Sequence, residues 1–174
     1  MRVLVICNAY PSEQSRYRNG FIHRRVKAYQ TAGIDVEIFY EHAPVTKSYT
    51  YIYEGVHVRV GNQDALEYEV AHKEFDAFLV HFAEPSRIEP LRRVGIAKPI
   101  IVWIHGYEAE AWHRRWFNFI DSYEDLTTSI QRKDTYYAQQ NSFLRDLVNT
   151  TDLNISFVNV SKWFQEYVVE PDIG

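Results

Sequence analysis

Residues whose side chains suit ligand chemistry follow apolar runs that are typical of strands buried on both faces. Tyr10 follows the run 3–7, and His105 with Gly106 follows the run 99–104. Ligands bind outside the carboxyl ends of the strands of an open parallel sheet, so these residues are candidates for a binding site. A histidine there can donate a hydrogen bond to a hydroxyl or phosphate group, and the glycine leaves room beside it. The alternative is a histidine whose hydrogen bond is purely structural.

The polar loop after the first apolar run is the strongest candidate for binding an anion. It spans residues 11–20, ends in Asn19 and Gly20, and leads directly into a helical pattern. A glycine lets a ligand approach the backbone closely, and free amides of a first helical turn favour an anion. Arginines are crowded in the same segment, at Arg16, Arg18, Arg24 and Arg25. These features indicate a phosphate contact, with a surface loop and a solvated basic helix face as the alternative.

Other sites are less well supported by the sequence. The loop lacks the Gly-Lys-Ser/Thr ending of a nucleotide-binding loop and the further glycines of the dinucleotide fingerprint. Glu108 and Glu110 suggest paired carboxylates, but residues two apart do not share a helix face, which favours solvated charges. The seven histidines include no short spaced pair, and Cys7 is the only cysteine. We therefore expect neither a metal site nor a cofactor.

Aromatic residues make up 16% of the chain, and two explanations fit this excess. An aromatic-rich core is the more common one, and exposed rings that stack on sugar faces are the other. Trp112 and Trp116 share a face of the helix predicted for residues 109–119, and Phe117 lies beside them. A core-facing stripe and an interfacial helix on anionic lipid both fit this pattern, and the stripe is the more common.

Apolar runs alternate with helical patterns along the chain, which predicts an α/β fold with a parallel sheet covered by helices. Strands are predicted at residues 3–7, 36–40, 75–82, 99–104 and 155–160, the last of them buried, and a hairpin within 49–60 turns at Glu54-Gly55. A helix is predicted around Ile22, Val26 and Tyr29, with a stop at Gly33. Further helices are predicted around 66–74 and at 85–94, 109–119, 132–148 and 162–169, and Pro171 is expected to end the last of them.

Length, composition and charge limit the class of protein. The chain has 174 residues, 46% of them hydrophobic and 24% charged, which predicts one packed domain over residues 1–174. A net charge of −4 argues against a nucleic-acid partner, because such proteins need a basic face. The lone Cys7 cannot form an internal disulfide, and no apolar run is long enough for an export signal or a membrane span. We therefore expect a cytoplasmic protein.

Three segments resemble the retaining glycosyltransferases of family 4, which have the GT-B fold. The first strand, loop and helix of that family are matched by the opening MRVLVICNAYPSEQSRYRNGFIHRRVKAYQTAG. Its histidine-bearing strand end is resembled by PIIVWIHGYEAEAW, and its final strand and helix before the interdomain linker are resembled by NISFVNVSKWFQEYVV. The segments follow the order of the family and cover nearly the whole chain.

Members of that family have two Rossmann-like domains that face a cleft, and the amino-terminal domain mostly binds the acceptor. The resemblance therefore implies a Rossmann-like three-layer domain with a mainly parallel sheet, the amino-terminal half of a GT-B fold. Asn19 and Gly20 match the helix start that meets the donor diphosphate, and His105 matches the histidine near the transferred sugar. The other residues implied for the acceptor side of the cleft are Tyr10, Arg24, Gly106, Glu108 and Ser161.

The resemblance implies transfer of a sugar, with retention, from a nucleotide-sugar donor to a glycan or lipid-linked acceptor, without a metal. The implied setting is bacterial cell-surface polysaccharide synthesis, in the cytoplasm or as a peripheral protein at the inner face of the plasma membrane. The paired-glutamate motif and nucleotide pocket of the family's second domain are missing from the sequence, so we expect residues 1–174 alone to be inactive. Two alternatives stay open: a non-catalytic carbohydrate-binding or interaction module, and an unrelated flavodoxin-like domain that binds a phosphate ligand.

Overall fold

A computed structural model describes residues 1–114 and 120–174 and shows a seven-stranded sheet flanked by helices. The strands are β1 (Arg2–Cys7), β2 (Asp35–Glu41), β3 (Tyr49–Tyr53), β4 (Val56–Gly61), β5 (Ala77–His81), β6 (Ile100–Ile104) and β7 (Ile155–Asn159). The helices are α1 (Gly20–Thr31), α2 (Gln63–His72), α3 (Pro85–Val94), α4 (Tyr123–Arg132) and α5 (Ala138–Val148), with a π-helical segment, Lys133–Tyr137, between the last two. The chain closes with the helical segments Lys162–Phe164, Gln165–Val169 and Glu170–Asp172, of which the middle one is π-helical.

The strands lie in the order β3-β4-β2-β1-β5-β6-β7 across the sheet. β1 pairs in parallel with β2 on one side and with β5 on the other. β2 also pairs in parallel with β4, and β5 with β6, whereas β3 at one edge pairs antiparallel with β4. This arrangement confirms the predicted α/β class with a mainly parallel sheet and a Rossmann-like three-layer architecture.

The hairpin of β3 and β4 turns at the predicted Glu54-Gly55 pair. Glu54 and Gly55 have φ angles of 46° and 78°. Positive φ at both central residues is what a type I′ turn requires, and the twist of that turn matches the twist of the flanking strands. Tyr53 and Val56 face each other directly across it. The turn signal in the sequence is therefore confirmed.

The core lies around β1, where residues 3–7 are each 2% exposed or less. A strand that is covered on both faces needs an apolar side chain at every position, which explains the unbroken apolar run. From α1, Ile22 and Val26 are both buried, as their four-residue spacing predicts. Gly33 follows α1 with a φ of 79°, the left-handed conformation that commonly ends a helix.

The chain divides into two compact units. The larger unit comprises Met1–Trp103 and Asp152–Phe157, and the smaller unit comprises Ile104–Thr151 and Val158–Gly174. The larger unit contains most of the sheet together with α1, α2 and α3. The smaller unit contains α4, α5 and the closing helical segments.

The first helix predicted for the smaller unit begins later than expected. Ala109 lies in a turn, and helical structure starts at Trp112. The rest of that prediction, residues 115–119 with the proposed aromatic stripe of Trp116 and Phe117, lies outside the described residues. The predicted start at Ala109 is therefore wrong.

The helix that the sequence predicts at residues 132–148 begins earlier in the structure. The prediction starts it at Arg132, but α4 already begins at Tyr123. Ser122 Oγ accepts a hydrogen bond from the Asp125 amide at 3.1 Å, and two acidic residues, Glu124 and Asp125, occupy the first turn. A serine cap followed by acidic residues stabilises a helix start, so the signal was present in the sequence and was overlooked.

β7 and the last helical segment also differ from the prediction. The sequence predicts a buried strand, but Ser156 is exposed and the other residues of β7 are half-buried. Its position at an edge of the sheet accounts for this, because an edge strand has a neighbour on one side only. The helical structure that begins at Lys162 continues past Pro171 to Asp172, one residue beyond the predicted end.

Candidate functional site

The sheet has a topological switch point between β1 and β5. From β1 the chain moves outward through β2 and β4, and it then returns to the other side of β1 to form β5 and β6. The connections after β1 and β5 therefore leave in opposite directions, which opens a crevice at the carboxyl ends of these two strands. The loop 8–19 borders the crevice after β1, and Phe82 borders it after β5.

Asn19 fixes the end of the loop that follows β1. Its φ of 50° lies in the left-handed region, which asparagine tolerates better than most residues. Its side-chain amide donates to Asn8 Oδ1 at 3.0 Å and to the Ala9 carbonyl at 3.2 Å. Asn19 thus ties the start of α1 to the end of β1. Within the described residues, α1 begins without a side-chain cap and without an acidic residue in its first turn, so the positive end of its dipole is not neutralised there.

Gly20 opens α1 beside empty space. A Cβ added to Gly20 would meet no described heavy atom within 4 Å, so packing does not require a glycine at this position. The Gly20 amide donates to the Tyr17 carbonyl at 3.4 Å, and the Ile22 amide donates to the Asn19 carbonyl at 2.9 Å. The expectation of free first-turn amides is therefore wrong for these two groups. The bond of Gly20 is nevertheless longer than an ordinary N–H to O hydrogen bond, so a better acceptor can replace it.

Phe82 follows β5 in a strained backbone conformation. Its φ of 59° is rare for a bulky residue. The buried Arg87 donates from Nε to the Phe82 carbonyl at 2.7 Å, and ion pairs with Glu41 at 3.0 Å and Glu84 at 2.9 Å hold that guanidinium. The Phe82 ring packs edge to face on Phe21 with their centroids 6.2 Å apart. These contacts hold an aromatic rim of the crevice in place against the backbone strain.

Arg25 and Trp103 carry buried donors near the carboxyl end of β6. The Arg25 guanidinium lies 3.5 Å from the centre of the Trp103 ring, and the buried His81 ring stacks on the same indole at 5.9 Å. Arg25 Nη1 and Trp103 Nε1 have no hydrogen-bond partner in the part of the chain that the structure describes. Buried donors of this kind are normally satisfied by water or by a ligand.

Tyr10 and Arg24, both implied for the acceptor side, lie in different surroundings. Tyr10 is 1% exposed, and its hydroxyl lies 2.8 Å from His23 Nδ1. The other ring nitrogen, His23 Nε2, lies 3.0 Å from Glu54 Oε2 in the hairpin turn. Burial raises the pKa of the Tyr10 hydroxyl, which therefore stays protonated. Its hydroxyl serves to link the loop to the hairpin through His23, whereas Arg24 is exposed on α1.

A pocket of about 380 Å³ lies between the loop after β1, the end of β2 and the strand β3. We call it the tyrosine pocket, and its main lining residues are Glu13, Arg18, Tyr40, His42, Tyr49 and Tyr51. All of them belong to the larger unit. Small-molecule sites in proteins commonly enclose about 300–1,000 Å³, so the size suits a compact ligand.

Tyr51 joins the two walls of the tyrosine pocket. Its hydroxyl donates to the Pro11 carbonyl at 3.0 Å and lies 3.3 Å from the Tyr10 carbonyl. Burial raises the pKa of this hydroxyl, so it remains a donor at neutral pH. The bond ties β3 to the loop after β1, and the pocket is therefore formed before any ligand arrives. Tyr40, which is 6% exposed, and Tyr49, which is 52% exposed, supply further aromatic surface.

His105 and Gly106 form a tight turn in the smaller unit, directly after β6. Gly106 has a φ of 139°, which only glycine adopts readily, and its carbonyl accepts from the Ala109 and Glu110 amides at 2.9 and 3.1 Å. Glu108 Oε1 accepts from the His105 backbone amide at 2.8 Å, and Glu108 is 1% exposed. The interpretation of Glu108 as a solvated charge is therefore wrong: its buried carboxylate fixes the turn that carries His105.

Ser161 caps the closing helical structure of the smaller unit. Its Oγ accepts a hydrogen bond from the Phe164 amide at 3.0 Å. A serine cap of this kind stabilises a helix start by about 1 kcal/mol. Ser161 thus has a structural contact, and its implied place at the edge of the cleft stays a prediction.

Sequence reasoning missed the functional candidates at the end of β2. Tyr40 and His42 flank the last residue of β2, Glu41, which holds Arg87. The sequence carries a signal for the pocket, because aromatic residues follow the second apolar run and recur at alternate positions in β3. The meeting of β2, β3 and the first loop depends on sheet pairing, which no local pattern specifies.

The fold and these sites define a Rossmann-like α/β protein with a topological switch point between β1 and β5 and a pocket beside it. Compared with models of protein families, with curated proteins and with solved structures, the chain matches none. Residues 1–114 and 120–174 contain no group of three or more side chains suited to hold a metal ion. No helix in these same ranges is both long and apolar enough to cross a bilayer.

Proposed function

We propose that the chain is the acceptor-side domain of a retaining glycosyltransferase of the GT-B type. The observation that carries this proposal is the start of α1 at the switch point, where an uncapped helix opens with Gly20 beside empty space. Packing gives no reason for a glycine there, whereas the approach of a ligand to the backbone does. The unneutralised helix dipole favours an anion at the same position, and the diphosphate of a nucleotide sugar is such an anion.

In this proposal, Asn19 and Gly20 contact the donor diphosphate, and His105 hydrogen-bonds a hydroxyl of the transferred sugar. The acceptor is a glycan or a lipid-linked glycan, bound mainly by this chain. Glu108 is a positioning residue, because its buried carboxylate accepts a hydrogen bond from the His105 backbone amide and so fixes the turn that carries His105. A place in cell-surface polysaccharide synthesis, at the inner face of the plasma membrane, belongs to the same proposal.

The direct test is sugar transfer by the protein made from its complete reading frame, assayed with a panel of labelled nucleotide sugars and bacterial glycan or lipid-linked acceptors. We expect transfer with retention, and we expect His105→Ala to lower its rate roughly 100-fold, the usual cost of removing one transition-state donor. The matched control is His113→Ala, because His113 is an exposed histidine of the same unit. Equal losses in both variants, or no transfer with any donor, would overturn the proposal.

A second test addresses the helix start. Nuclear magnetic resonance of the chain during titration with nucleoside diphosphates should shift the amides of residues 19–21. The Cβ of a Gly20→Val variant meets no described heavy atom within 4 Å, and its two methyl groups lie where the ligand would approach the backbone, so we expect it to weaken this binding at least about tenfold. Ala28→Val, at an exposed position near the other end of α1, is the control. Unchanged amides at 19–21 at millimolar ligand would contradict the assigned role of Gly20.

A second candidate function is carbohydrate binding without catalysis, and the tyrosine pocket favours it. Pre-formed aromatic walls and polar edges suit a sugar whether or not a transfer step follows. Sugar binding together with no transfer, in the protein made from the complete reading frame, is the result that distinguishes this candidate from the first.

A further inference from the structure

We propose that the tyrosine pocket binds a sugar that carries a negative charge, with its acidic group on Arg18 and its ring against Tyr49. The proposed function enters only through the source of the ligand: if the chain binds the acceptor glycan, the charged sugar is an acidic unit of that glycan. The pocket, its chemistry and its test stand on the larger unit alone.

Arg18 supplies an uncommitted positive charge. Its neighbour in the loop, Arg16, donates to Glu13 at 2.9 Å, so these two charges neutralise each other. The Arg18 side chain makes no hydrogen bond or ion pair with any residue in the described part of the chain, and its guanidinium lies 5.9 Å from the centre of the Tyr40 ring. Arg16 lies outside the pocket lining, but its pair with Glu13 leaves Arg18 as the unpaired charge of the lining. A planar guanidinium is well shaped to bind a carboxylate or phosphate with two parallel hydrogen bonds.

The aromatic walls provide the surface that a sugar ring needs. The C–H face of a pyranose is apolar and packs on aromatic rings, while its hydroxyls keep hydrogen bonds at the rim. Tyr49 on β3 presents such a ring, whereas Tyr40 on β2 is 6% exposed and contributes only a small part of the lining. The half-exposed Tyr49 leaves a ring open to the ligand, and the hydroxyl of Tyr51 fixes the opposite wall through the Pro11 carbonyl.

Further polar groups around the pocket are available to sugar hydroxyls. The His42 ring packs against Tyr40 with centroids 5.4 Å apart. Among the residues that the structure describes, no side-chain hydrogen bond engages the His42 ring nitrogens, the Tyr49 hydroxyl or the Gln14 amide. The donors and acceptors of these groups therefore face the pocket or solvent and can exchange water for a ligand.

A second cavity in the larger unit shows that open charges are not a general property of its pockets. It has a similar volume of about 350 Å³ and is lined by Glu37, Arg59, Glu69 and Lys73 among others. Its charges are paired, because Arg59 and Lys73 both contact the buried Glu69, and Lys73 also contacts Glu37 at 3.0 Å. The two pockets therefore differ in their cations: Arg59 and Lys73 are ion-paired, although Arg59 Nε has no hydrogen-bond partner among the described residues, whereas the Arg18 guanidinium has no ion pair there.

The test is titration of the chain with three probes, followed by nuclear magnetic resonance and calorimetry. The probes are methyl glucuronide, methyl glucoside and glucose 6-phosphate, with acetate and inorganic phosphate as charge-only controls. We expect the two acidic sugars to shift pocket amides and to bind at least about tenfold tighter than methyl glucoside, because one charge-assisted hydrogen bond contributes that much. The ratio between the acidic sugars then tells a carboxylate source from a phosphate source.

Two variants probe the charge and the ring separately, with a matched control. Arg18→Gln should remove most of the preference for the acidic sugars and leave binding of methyl glucoside nearly unchanged. Tyr49→Ala should weaken both kinds of sugar about equally, and the exposure of Tyr49 makes this substitution safe for the fold. Arg16→Gln changes an arginine of the same loop that is paired with Glu13, and it should leave all affinities within about twofold.

Failure of this inference is distinguishable from failure of the proposed function. Acetate and phosphate binding as tightly as the acidic sugars would reduce the pocket to an unspecific anion site and overturn the inference. Equal affinity for methyl glucoside and methyl glucuronide, or equal effects of the Arg16 and Arg18 variants, would overturn it as well. None of these results affects the transfer assay with His105→Ala or the diphosphate titration at Gly20, which test the proposed function itself.

Discussion

The Glu41→Leu substitution tests how far a buried ion pair supports the carboxyl edge of the sheet. Glu41 and Arg87 are 5% and 2% exposed, and Arg87 Nη1 donates to Glu41 Oε2 at 3.0 Å. The same oxygen accepts a hydrogen bond from Ser86 Oγ at 3.0 Å. Removal of one partner from a buried ion pair costs about 3–5 kcal/mol, because the other charge stays buried. Glu84 still contacts Arg87 at 2.9 Å, so we expect the lower end of that range, about 3 kcal/mol.

Urea unfolding followed by circular dichroism measures this free energy. The double variant Glu41→Leu/Arg87→Met removes both charges, and we expect it to be at least about 1 kcal/mol more stable than Glu41→Leu alone. The control is Glu67→Leu, which breaks the partly exposed pair of Glu67 with Arg93 and should cost less than about 1 kcal/mol. A Glu41→Leu protein within about 0.5 kcal/mol of the wild type would refute the argument from burial.

Two further predictions concern Cys7 and Gly106. Burial raises the pKa of the Cys7 thiol from 9.0 to about 12, so its contribution to stability is fully present below pH 9 and is lost as the pH rises from 9 towards 12. Between pH 8 and pH 10 the wild type should therefore lose about 1.4 kcal/mol more than Cys7→Ala in urea unfolding, and equal losses would contradict the shift. Gly106→Ala should destabilise the protein by about 1–3 kcal/mol in the same assay, because a φ of 139° strains any side chain. Gly20→Ala, which meets no described atom within 4 Å, is its control and should change stability by less than about 1 kcal/mol, so equal costs in the two variants would contradict the role of φ.

The elements that the sequence predicts well are those fixed by neighbours along the chain. The apolar run 3–7 specifies a strand buried on both faces, and the turn at Glu54-Gly55 specifies a hairpin, because each depends only on adjacent residues. The Ser122 cap of α4 is equally local, because a serine followed by two acidic residues is visible in the sequence. The exposure of β7 was not predictable in this way, because it follows from an edge position that the whole sheet determines.

The same distinction between local and long-range features holds for the candidate site residues. Gly20 and His105 are recognisable because each follows a strand or begins a helix, and such positions lie at the carboxyl edge of any parallel sheet. The role of Glu108 was misjudged because the two-residue spacing of acidic side chains says nothing about burial. Glu108 accepts a hydrogen bond from the His105 backbone amide because the turn folds back on itself, and residue spacing alone does not specify that turn.

The tyrosine pocket lies beyond local prediction for a further physical reason. It exists only because β4 pairs with β2, which brings β3 close enough for the Tyr51 hydroxyl to reach the Pro11 carbonyl. Composition cannot distinguish Arg16 from Arg18, since both are loop arginines, yet one is neutralised by Glu13 and the other has no described ion pair. A fold satisfies the polar groups that it needs for itself, because leaving them unsatisfied costs stability. Where pre-formed aromatic walls coincide with a cluster of uncommitted polar groups, binding of a ligand is the better explanation of the pattern than folding alone.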